Sequence, residues 1–404
     1  MTFWNLYLFD FIFSGLIRAN LPHSLSNVFF FTRALIILFF VITSRKEIHD
    51  NIKFKTFFLT VSVLLTLYQF IYLVFDELGP ITFLYGLYLY VIPILGLLIK
   101  SKHNLFEIIT GTTPLIKISI WVNFSLVAAQ TVFQISSLYS AGFGEGLYSA
   151  GGIQRATGSF SSAAGYGIYI SVIFFYLVSL RIIAKEKNLN IYWMLFLFMV
   201  IMSGSRTIIF NLLFAIIVFI FFNRRNNHIK SMFRNIFTSA IIVFVITFMT
   251  DISHVASAGI SRFIGANSVN PPFSRLWQQI SINLNDLQLF GSGLSTHALG
   301  SVININSRVT FSNWIEFDNQ RVAVEAGLFF LVLILITKIL FLRNSVLLYS
   351  EYSDYNKPIR LLLLVTYSPF LFFGQVNGQA SIASGTFYLV YLSFRSGMRK
   401  NEES

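Results

Sequence analysis

Cysteine is absent from this chain of 404 residues, which excludes disulfide bonds and thiolate chemistry. Charge is scarce as well: Asp, Glu, Lys and Arg supply 11% of the residues, whereas 55% are hydrophobic. A soluble domain of this size needs a more polar surface than these numbers allow. The sequence also lacks a phosphate-binding P-loop, an HExxH motif and paired CxxC motifs, so the common soluble-enzyme classes have no support. Nor does it contain a clear inverted repeat of the kind that many transporters carry.

The chain consists instead of a succession of apolar runs. Phenylalanine alone contributes 46 residues, and the mean hydropathy is +0.70. Such runs are typical of membrane-spanning helices, so they predict an all-α polytopic membrane protein that forms one integral-membrane domain over residues 1–404. The first run, 3–17, has no basic segment before it and no small-residue cleavage site, which favours a retained helix over a signal peptide.

Twelve spans are predicted, and basic residues orient them. The spans are 4–19, 27–43, 54–75, 80–99, 116–135, 161–180, 190–203, 206–222, 233–250, 321–342, 358–374 and 380–395. With both termini in the cytoplasm, the inner face collects 20 Lys and Arg residues and the outer face 7. Fusing 190–222 into one span would invert the orientation of every later span and so reverse this distribution of basic residues after it. We therefore expect a break at 203–206. Most of the net charge of +12 is then positive-inside bias, which removes the reason to expect a nucleic-acid partner.

The outer basic residues are all arginines, although 12 of the 29 basic residues in the chain are lysines. They are Arg18, Arg155, Arg206, Arg262, Arg275, Arg308 and Arg321. Because a planar guanidinium binds phosphate or carboxylate through two hydrogen bonds, this bias indicates a site for such an anion. Pairing with the acids of the same face, to hold loops in place, is the other interpretation of any single arginine.

Three outer segments carry most of these residues. Residues 251–320 are too polar and too rich in Gly, Pro, Asn and Ser to lie in lipid, so we expect a large loop. Residues 136–162 hold six glycines around Arg155, which suits either an anion-binding backbone or a flexible loop. The break at 203–206 places a helix N-terminus beside Arg206, which suits an anion or a side chain that reaches the interface.

Two charges and one short segment complete the expectations. Asp10 and Arg33 lie inside spans, where an isolated charge is costly, so we expect them to be partners. Residues 104–115 are predicted to form a cytoplasmic interfacial segment.

Several short motifs follow one another in a characteristic order. They are Gln154-Arg155-Ala156-Thr157-Gly158-Ser159-Phe160, Ser203-Gly204-Ser205-Arg206, Arg275-Leu276-Trp277, Leu289-Phe290-Gly291-Ser292-Gly293, Asp318-Asn319-Gln320 and Glu325-Ala326-Gly327. In order and sidedness, the chain resembles the bacterial O-antigen polymerase (Wzy type) and O-antigen ligase superfamily of integral-membrane glycosyltransferases. The resemblance covers about residues 150–345 and the twelve-span plan.

The resemblance implies a GT-C-like helical fold of about 12 transmembrane helices in the bacterial inner membrane, with 251–320 as the large periplasmic loop. It also implies an active site that faces the periplasm. The substrates would be undecaprenyl-pyrophosphate-linked oligosaccharides, and the growing glycan would move from its carrier onto the next lipid-linked repeat unit. Membrane lipids and a chain-length regulator are further expected partners. The ligases carry a His-Asn pair before the last Glu-x-Gly, where this chain has Asp318-Asn319, so polymerase is favoured over ligase.

Such a transfer needs charge stabilisation more than acid catalysis. Pyrophosphate leaves as a stable anion, so arginines suffice to stabilise it, and neither a metal nor a cofactor is implied. The predicted pyrophosphate-binding residues are Arg155, Arg206, Arg262, Arg275 and Arg321. One carboxylate or imidazole must accept the proton of a sugar hydroxyl, and the candidates are Asp318, Glu316 and His297. Glu325 is a further candidate, or it pairs with Arg321 at i, i+4. A lipid-linked oligosaccharide flippase is the alternative outside the enzymes, and its polar residues should line the middle of the bilayer.

Overall fold

Eleven helices make up nearly all of the part of the chain that the structure describes. The structure is a computed structural model, and it describes residues 2–22, 25–26, 29, 31–43, 52–75, 79–98, 103–131, 149–150, 153–154, 156–160, 162–186, 188–203, 206–223, 238, 288–297, 318–351, 357–373 and 380–393. The helices are α1 Thr2–Ala19, α2 Thr32–Thr43, α3 Ile52–Val74, α4 Pro80–Leu97, α5 Leu105–Thr131, α6 Ala163–Ile182, α7 Asn190–Met202, α8 Arg206–Asn223, α9 Asp318–Glu351, α10 Lys357–Phe373 and α11 Ala380–Ser393. A two-residue antiparallel pair, β1 Ser149–Ala150 with β2 Ile153–Gln154, is also present, and residues 25–26, 29 and 238 are helical as well.

The helices confirm the all-α class that the apolar runs predict. Eleven of the twelve predicted spans coincide with a helix, and the twelfth, 233–250, lies outside the described residues except for the single helical residue Thr238. Five helices are long and apolar enough to cross a membrane, by length and composition. They are Lys55–Val74, Pro80–Leu97, Leu105–Thr131, Ala164–Ile182 and Asn319–Val346. The membrane character is therefore supported, while the number of crossings and the GT-C-like arrangement stay predictions.

The cytoplasmic interfacial position of 104–115 stays a prediction, but helix α5 begins eleven residues before its predicted span, so residues 105–115 belong to the same helix as that span. The reason is a local helix start at Asn104, whose side-chain oxygen accepts from the backbone N–H of Glu107 at 2.8 Å. The Asn104 amide in turn donates to the Glu107 carboxylate at 3.1 Å. This reciprocal cap starts the helix at Leu105, and Pro114 is accommodated inside it.

Helix α4 changes its pitch in the middle. A π-helical turn, Leu87–Val91, separates the α-helical segments Pro80–Gly86 and Ile92–Leu97. Pro93 follows the π turn directly and has no backbone N–H to donate. Single π turns of this kind are frequent at functional sites. This one carries Tyr88 and Tyr90, whose hydroxyls contact different partners.

The predicted break at 203–206 is confirmed as a separation of two helices, since α7 ends at Met202 and α8 begins at Arg206. Tyr166 near the start of α6 donates its hydroxyl to the Met199 carbonyl at 3.5 Å. A Cβ on the neighbouring Gly167 would lie 2.9 Å from a side-chain carbon of Ile208. Both sides of the break therefore lie close to the beginning of α6.

The bundle has two distinct ends. Helices α1, α3 and α5 finish at the end where α2, α4, α6, α9 and α11 begin, and we call this the site end. At the opposite end, Lys117 forms an ion pair with Glu186 at 2.5 Å, and Arg181 donates to the Glu186 carbonyl at 2.9 Å. These contacts join two segments that the basic residues place on the inner face, so the site end corresponds to the predicted outer face.

Candidate functional site

A segment of the predicted large loop packs onto helix α9 where that helix is broken. The break lies at Gly327, whose φ of 75° and ψ of 175° interrupt the helical geometry. Residues 288–297, which we call the docked loop, supply backbone partners there. Ser292 N–H donates to the Val324 carbonyl and Leu328 N–H to the Gln288 carbonyl, both at 2.9 Å. The loop thus satisfies backbone groups that the break removes from the helix, since buried backbone N–H and C=O groups need hydrogen-bond partners.

Two glycines make this contact possible. A Cβ on Gly291 would lie 2.2 Å from the Val324 carbonyl oxygen, and a Cβ on Gly327 would lie 2.6 Å from the Gly291 nitrogen. Gly327 also has a positive φ, which L side chains rarely adopt. The motifs 289–293 and 325–327, which are separate in the sequence, are therefore in direct backbone contact.

The docked loop is held by the buried carboxylate of Glu325, which is 0% exposed. One of its oxygens accepts from the Tyr90 hydroxyl at 2.8 Å and from the Ser295 N–H at 2.9 Å. The other accepts from the His297 N–H at 2.8 Å and lies 3.9 Å from the Arg321 Nε. The expected i, i+4 pair between Arg321 and Glu325 is confirmed. With donors on both oxygens, Glu325 is engaged in holding the loop, so it is a poor candidate for the proton acceptor.

Helix α3 holds the loop from the other side through Gln69. Its side-chain carbonyl accepts from the Leu294 N–H at 2.8 Å, and its NH₂ group donates to the Leu294 carbonyl at 3.1 Å. Tyr68 on the same helix donates its hydroxyl to the Glu325 carbonyl at 2.9 Å. Gly86 of α4 leaves room for this arrangement, because a Cβ there would lie 2.6 Å from the Gln69 nitrogen.

The motif 154–160 is anchored in a similar manner by two amides of helix α5. The Gln130 side-chain carbonyl accepts from the N–H groups of Thr157 and Gly158 at 2.9 and 3.0 Å. The Asn123 side-chain carbonyl accepts from the Ser159 N–H at 2.8 Å. Gly158 has a φ of 55°, and a Cβ on it would lie 2.3 Å from the Asn123 oxygen. The glycine in this motif is therefore required by both the backbone conformation and the close approach.

A buried ion pair lies between these two anchored segments. Arg33 Nε lies 2.6 Å from the Asp10 carboxylate, which confirms that the two intraspan charges are partners. The same guanidinium donates to the hydroxyls of Ser14 at 2.5 Å and Ser384 at 3.1 Å. The Tyr88 hydroxyl is 3.1 Å from the Ser384 hydroxyl. Four helices therefore surround one charged pair.

Three groups lie at the site end: the amides Asn123 and Gln130 with their backbone partners, the Asp10–Arg33 ion pair, and the Glu325 carboxylate with its donors. Together we call them the polar belt. The π turn of α4 connects two of them, because Tyr88 contacts the ion-pair cluster and Tyr90 contacts Glu325. Ser159 connects the third, since its hydroxyl donates to the Ile12 carbonyl of α1 at 2.6 Å, between Asp10 and Ser14 in the chain. The belt thus crosses the bundle from α5 to α9.

An apolar cavity of about 70 Å³ lies directly behind Tyr90. It is enclosed by α4, α9, α10 and α11 and is not sealed; Leu89, Pro93, Lys338 and Thr386 are among its lining residues. The residues of α4 that line it run from Leu89 to Leu97, about 12 Å of helix at 1.5 Å per residue. These dimensions and this lining suit a segment of hydrocarbon chain.

The predicted site residues fall into three groups. Arg321 and His297 are brought together around Glu325. Asp318 and Arg206 are the first residues of α9 and α8, and their side chains lie outside the described residues. The remaining predicted residues lie outside the described residues altogether: Arg155, Arg262, Arg275 and Glu316.

Four residues that organise the site were missed by the sequence analysis, namely Gln69, Tyr90, Asn123 and Gln130. Three of them are amides inside strongly apolar spans, and that is a signal the sequence does carry. A side-chain amide in such a span needs a buried partner, so it indicates a contact with another polar segment. Tyr90 gives no comparable signal, because the chain contains 18 tyrosines.

Within the described residues, no group of three or more His, Asp or Glu side chains is arranged to hold a metal ion. The metal-independent reaction stays a prediction. Comparison with known proteins adds no relative: no protein-family model matches the chain, and neither a curated protein nor a solved structure matches it.

Proposed function

We propose that this protein is a membrane glycosyltransferase that polymerises a bacterial surface polysaccharide of the O-antigen kind. It would transfer the growing glycan from undecaprenyl pyrophosphate onto a lipid-linked repeat unit at the periplasmic face of the inner membrane. One observation carries the proposal beyond the motif resemblance. Two of the resembling motifs, 289–293 and 325–327, contact each other through glycines, as the parts of one site should.

The chemistry assigned to this site uses cations and one proton acceptor. Arg321 is 0% exposed and lies against Glu325, so its charge acts where water is excluded and electrostatic stabilisation is strong. His297 follows on the docked loop, and its backbone is fixed while its ring remains partly exposed. This makes His297 the described candidate for accepting the hydroxyl proton, and Asp318 and Glu316 remain predicted alternatives.

Positioning supplies the rest of the proposed mechanism. Two substrates on long lipid carriers must meet with the sugar hydroxyl aligned to the anomeric carbon, and holding them converts a bimolecular reaction into an effectively unimolecular one. The backbone anchors at Gln69 and Gln130 keep the two motifs rigid. The apolar cavity behind Tyr90 offers space for part of a carrier chain.

A flippase for lipid-linked oligosaccharides is the second candidate, and two observations favour it. Helix α9 is broken at Gly327, and broken helices form the substrate sites of many transporters. Asp10 and Arg33 form a buried pair inside the bundle, where charges often mark a transport path.

The decisive experiment is the lipid-linked glycan profile of a deletion strain. Loss of a polymerase leaves single repeat units on the carrier at the periplasmic face. Loss of a ligase leaves full-length polymer on the carrier, and loss of a flippase leaves single units on the cytoplasmic face, protected from an added glycosidase. Normal chain length and normal amounts in the deletion strain would contradict all three functions.

A further inference from the structure

We infer that Glu325 is a positioning residue, which sets the place of His297 relative to Arg321 by binding the backbone of the docked loop. Its link to catalysis rests on the proposed function, whereas its grip on the loop does not. Glu325 is a natural candidate for the base, because it is an acid at the mouth of α9. The geometry instead assigns it to the support of the site.

Glu325 satisfies two backbone donors of the docked loop. The N–H groups of Ser295 and His297 point inward, where an unsatisfied donor is costly, and both end on this carboxylate. Only a group with two acceptor oxygens serves both donors while also accepting from Tyr90. A glutamine in its place would present an NH₂ group to one of the two N–H donors.

The Glu325 contact also holds a strained backbone conformation in the docked loop. Ser295 has a φ of 68°, in the left-handed region that non-glycine residues seldom adopt. It lies between the two positions, Leu294 and His297, that Gln69 and Glu325 grip through the backbone. Such a conformation persists only where the surroundings enforce it. Without the Glu325 contact, we expect residues 295–297 to relax away from α9 and carry the imidazole with them.

The test uses the absence of cysteine, because a single introduced thiol reports on one place. Thr296→Cys puts a thiol on the half-buried side of the docked loop, and its rate of reaction with a membrane-impermeant maleimide measures undocking. In the full-length protein, we expect Glu325→Gln to raise this rate at least about tenfold, as the loss of a charge-assisted hydrogen bond predicts. Tyr90→Phe removes one donor of the carboxylate and should raise the rate by about threefold.

The matched control is Glu107→Gln. Glu107 is an exposed carboxylate at the start of α5 that contacts His103 and Asn104, so the same chemical change occurs away from the loop. It should leave the labelling rate of Thr296→Cys unchanged.

The catalytic arm uses lipid-linked repeat units extracted from the deletion strain as substrate. For Glu325→Gln, kcat should fall at least about tenfold while KM stays within about twofold, because Glu325 binds backbone rather than substrate. A general loss of folded protein would lower the amount of active enzyme, so rates are normalised to the monodisperse fraction.

Each outcome decides a part of the inference. A labelling rate of Thr296→Cys within twofold of the parent in Glu325→Gln overturns the positioning role. If Glu325→Gln does not reach the membrane, an unchanged labelling rate in Tyr90→Phe overturns that role instead. Faster labelling with an unchanged kcat in Glu325→Gln shows that Glu325 holds the loop without contributing to the reaction, which overturns the link to His297. A deletion strain with normal polymer overturns the proposed function and that link, while the labelling rates still decide whether Glu325 holds the loop.

Discussion

Charged side chains inside the helices are the residues on which this molecule depends most. Asp10, Arg33, Arg321 and Glu325 are each at most 5% exposed. Taking an ion out of water costs several kcal/mol, so each such charge must be compensated by a partner or by hydrogen bonds. The two pairs achieve this differently. Arg33 meets a carboxylate at 2.6 Å, whereas Glu325 relies mainly on backbone and tyrosine donors.

The Asp10–Arg33 pair should therefore be far more sensitive to the loss of one partner than to the loss of both charges. We expect Arg33→Ala to destabilise the protein by about 3–5 kcal/mol, because it leaves Asp10 buried without its cation. The double variant Asp10→Asn with Arg33→Gln should regain most of this loss. The measurement is the temperature at which half of the detergent-solubilised protein loses its monodisperse peak.

The control for that measurement is Lys117→Ala. Lys117 and Glu186 form an ion pair whose side chains are 26% and 29% exposed, so its loss should cost less than about 1 kcal/mol. Equal destabilisation by Arg33→Ala and Lys117→Ala would show that the Asp10–Arg33 pair has no special importance.

The arginine bias of the predicted outer face leads to a second prediction. Lysine keeps the charge of arginine but loses the two-pronged geometry that binds phosphate. At least two of five Arg→Lys variants should lose polymer synthesis while they reach the membrane at normal levels. The five positions are Arg155, Arg206, Arg262, Arg275 and Arg321. Arg308→Lys is the control, since the Asn-Ser-rich sequence around it predicts a loop tip, and normal polymer from all five variants would exclude a phosphate-binding role.

The proton acceptor can be identified by a pair of substitutions. Asp318→Asn keeps any helix-capping role but cannot take a proton, and His297→Gln keeps the backbone contact with Glu325 but removes the imidazole. We expect His297→Gln to reduce polymer formation at least about 100-fold, the usual contribution of a general base, and Asp318→Asn to have little effect. Glycan length and amount on gels are the measurements. The reverse pattern would assign the role to Asp318, and normal activity in both variants would leave Glu316 as the base.

At the scale of elements, the broken helix α9 and the docked loop form one unit. Gly327 is the joint, because its φ of 75° and its contact with the Gly291 nitrogen leave no space for a side chain. We expect Gly327→Ala to separate the loop from the helix and to abolish activity, with faster labelling of Thr296→Cys. Gly79→Ala is the matched control, since a Cβ there meets no atom within 4 Å and its φ is −67°. Equal labelling in the two variants would show that the joint tolerates a side chain.

The sequence predicts these elements well where a single helix decides its own limits. Apolar runs locate eleven helices, most of them within about five residues although α5 begins and α9 ends about ten residues beyond its predicted span, and the break at 203–206 follows from the charge count alone. The Asn104 cap was overlooked because its apolar run begins further on. The contact between 289–293 and 325–327 could not be predicted, because it depends on how a loop folds back over α3 and α4 as well as α9. In the sequence, only the glycines of the two motifs indicate that the backbone closely approaches another part of the molecule.

At the scale of the whole molecule, the polar belt joins parts of the chain that are distant in sequence. Gln130 in α5, the ion pair of α1 and α2, and Glu325 in α9 all lie at the site end, and the π turn of α4 links the last two. The opposite end carries Lys117, Arg181 and Glu186. The lysine at the opposite end agrees with the sidedness that the basic residues predict, in which the outer basic residues are all arginines and the lysines lie inside or within a span.

The sidedness itself can be tested in whole cells, again because the chain has no cysteine. Asn20→Cys lies between α1 and α2 at the site end, and Lys185→Cys lies in the segment that joins α6 and α7 at the opposite end. An impermeant maleimide should label the first in intact spheroplasts and the second only after permeabilisation. Reporter fusions after Arg225 and after Gly300 should indicate the cytoplasm and the periplasm respectively, because the break at 203–206 and the span 233–250 each reverse the predicted direction of the chain. If the two compartments are exchanged, α7 and α8 cross as one helix, the site end and the loop no longer share a compartment, and the polymerase proposal fails with them.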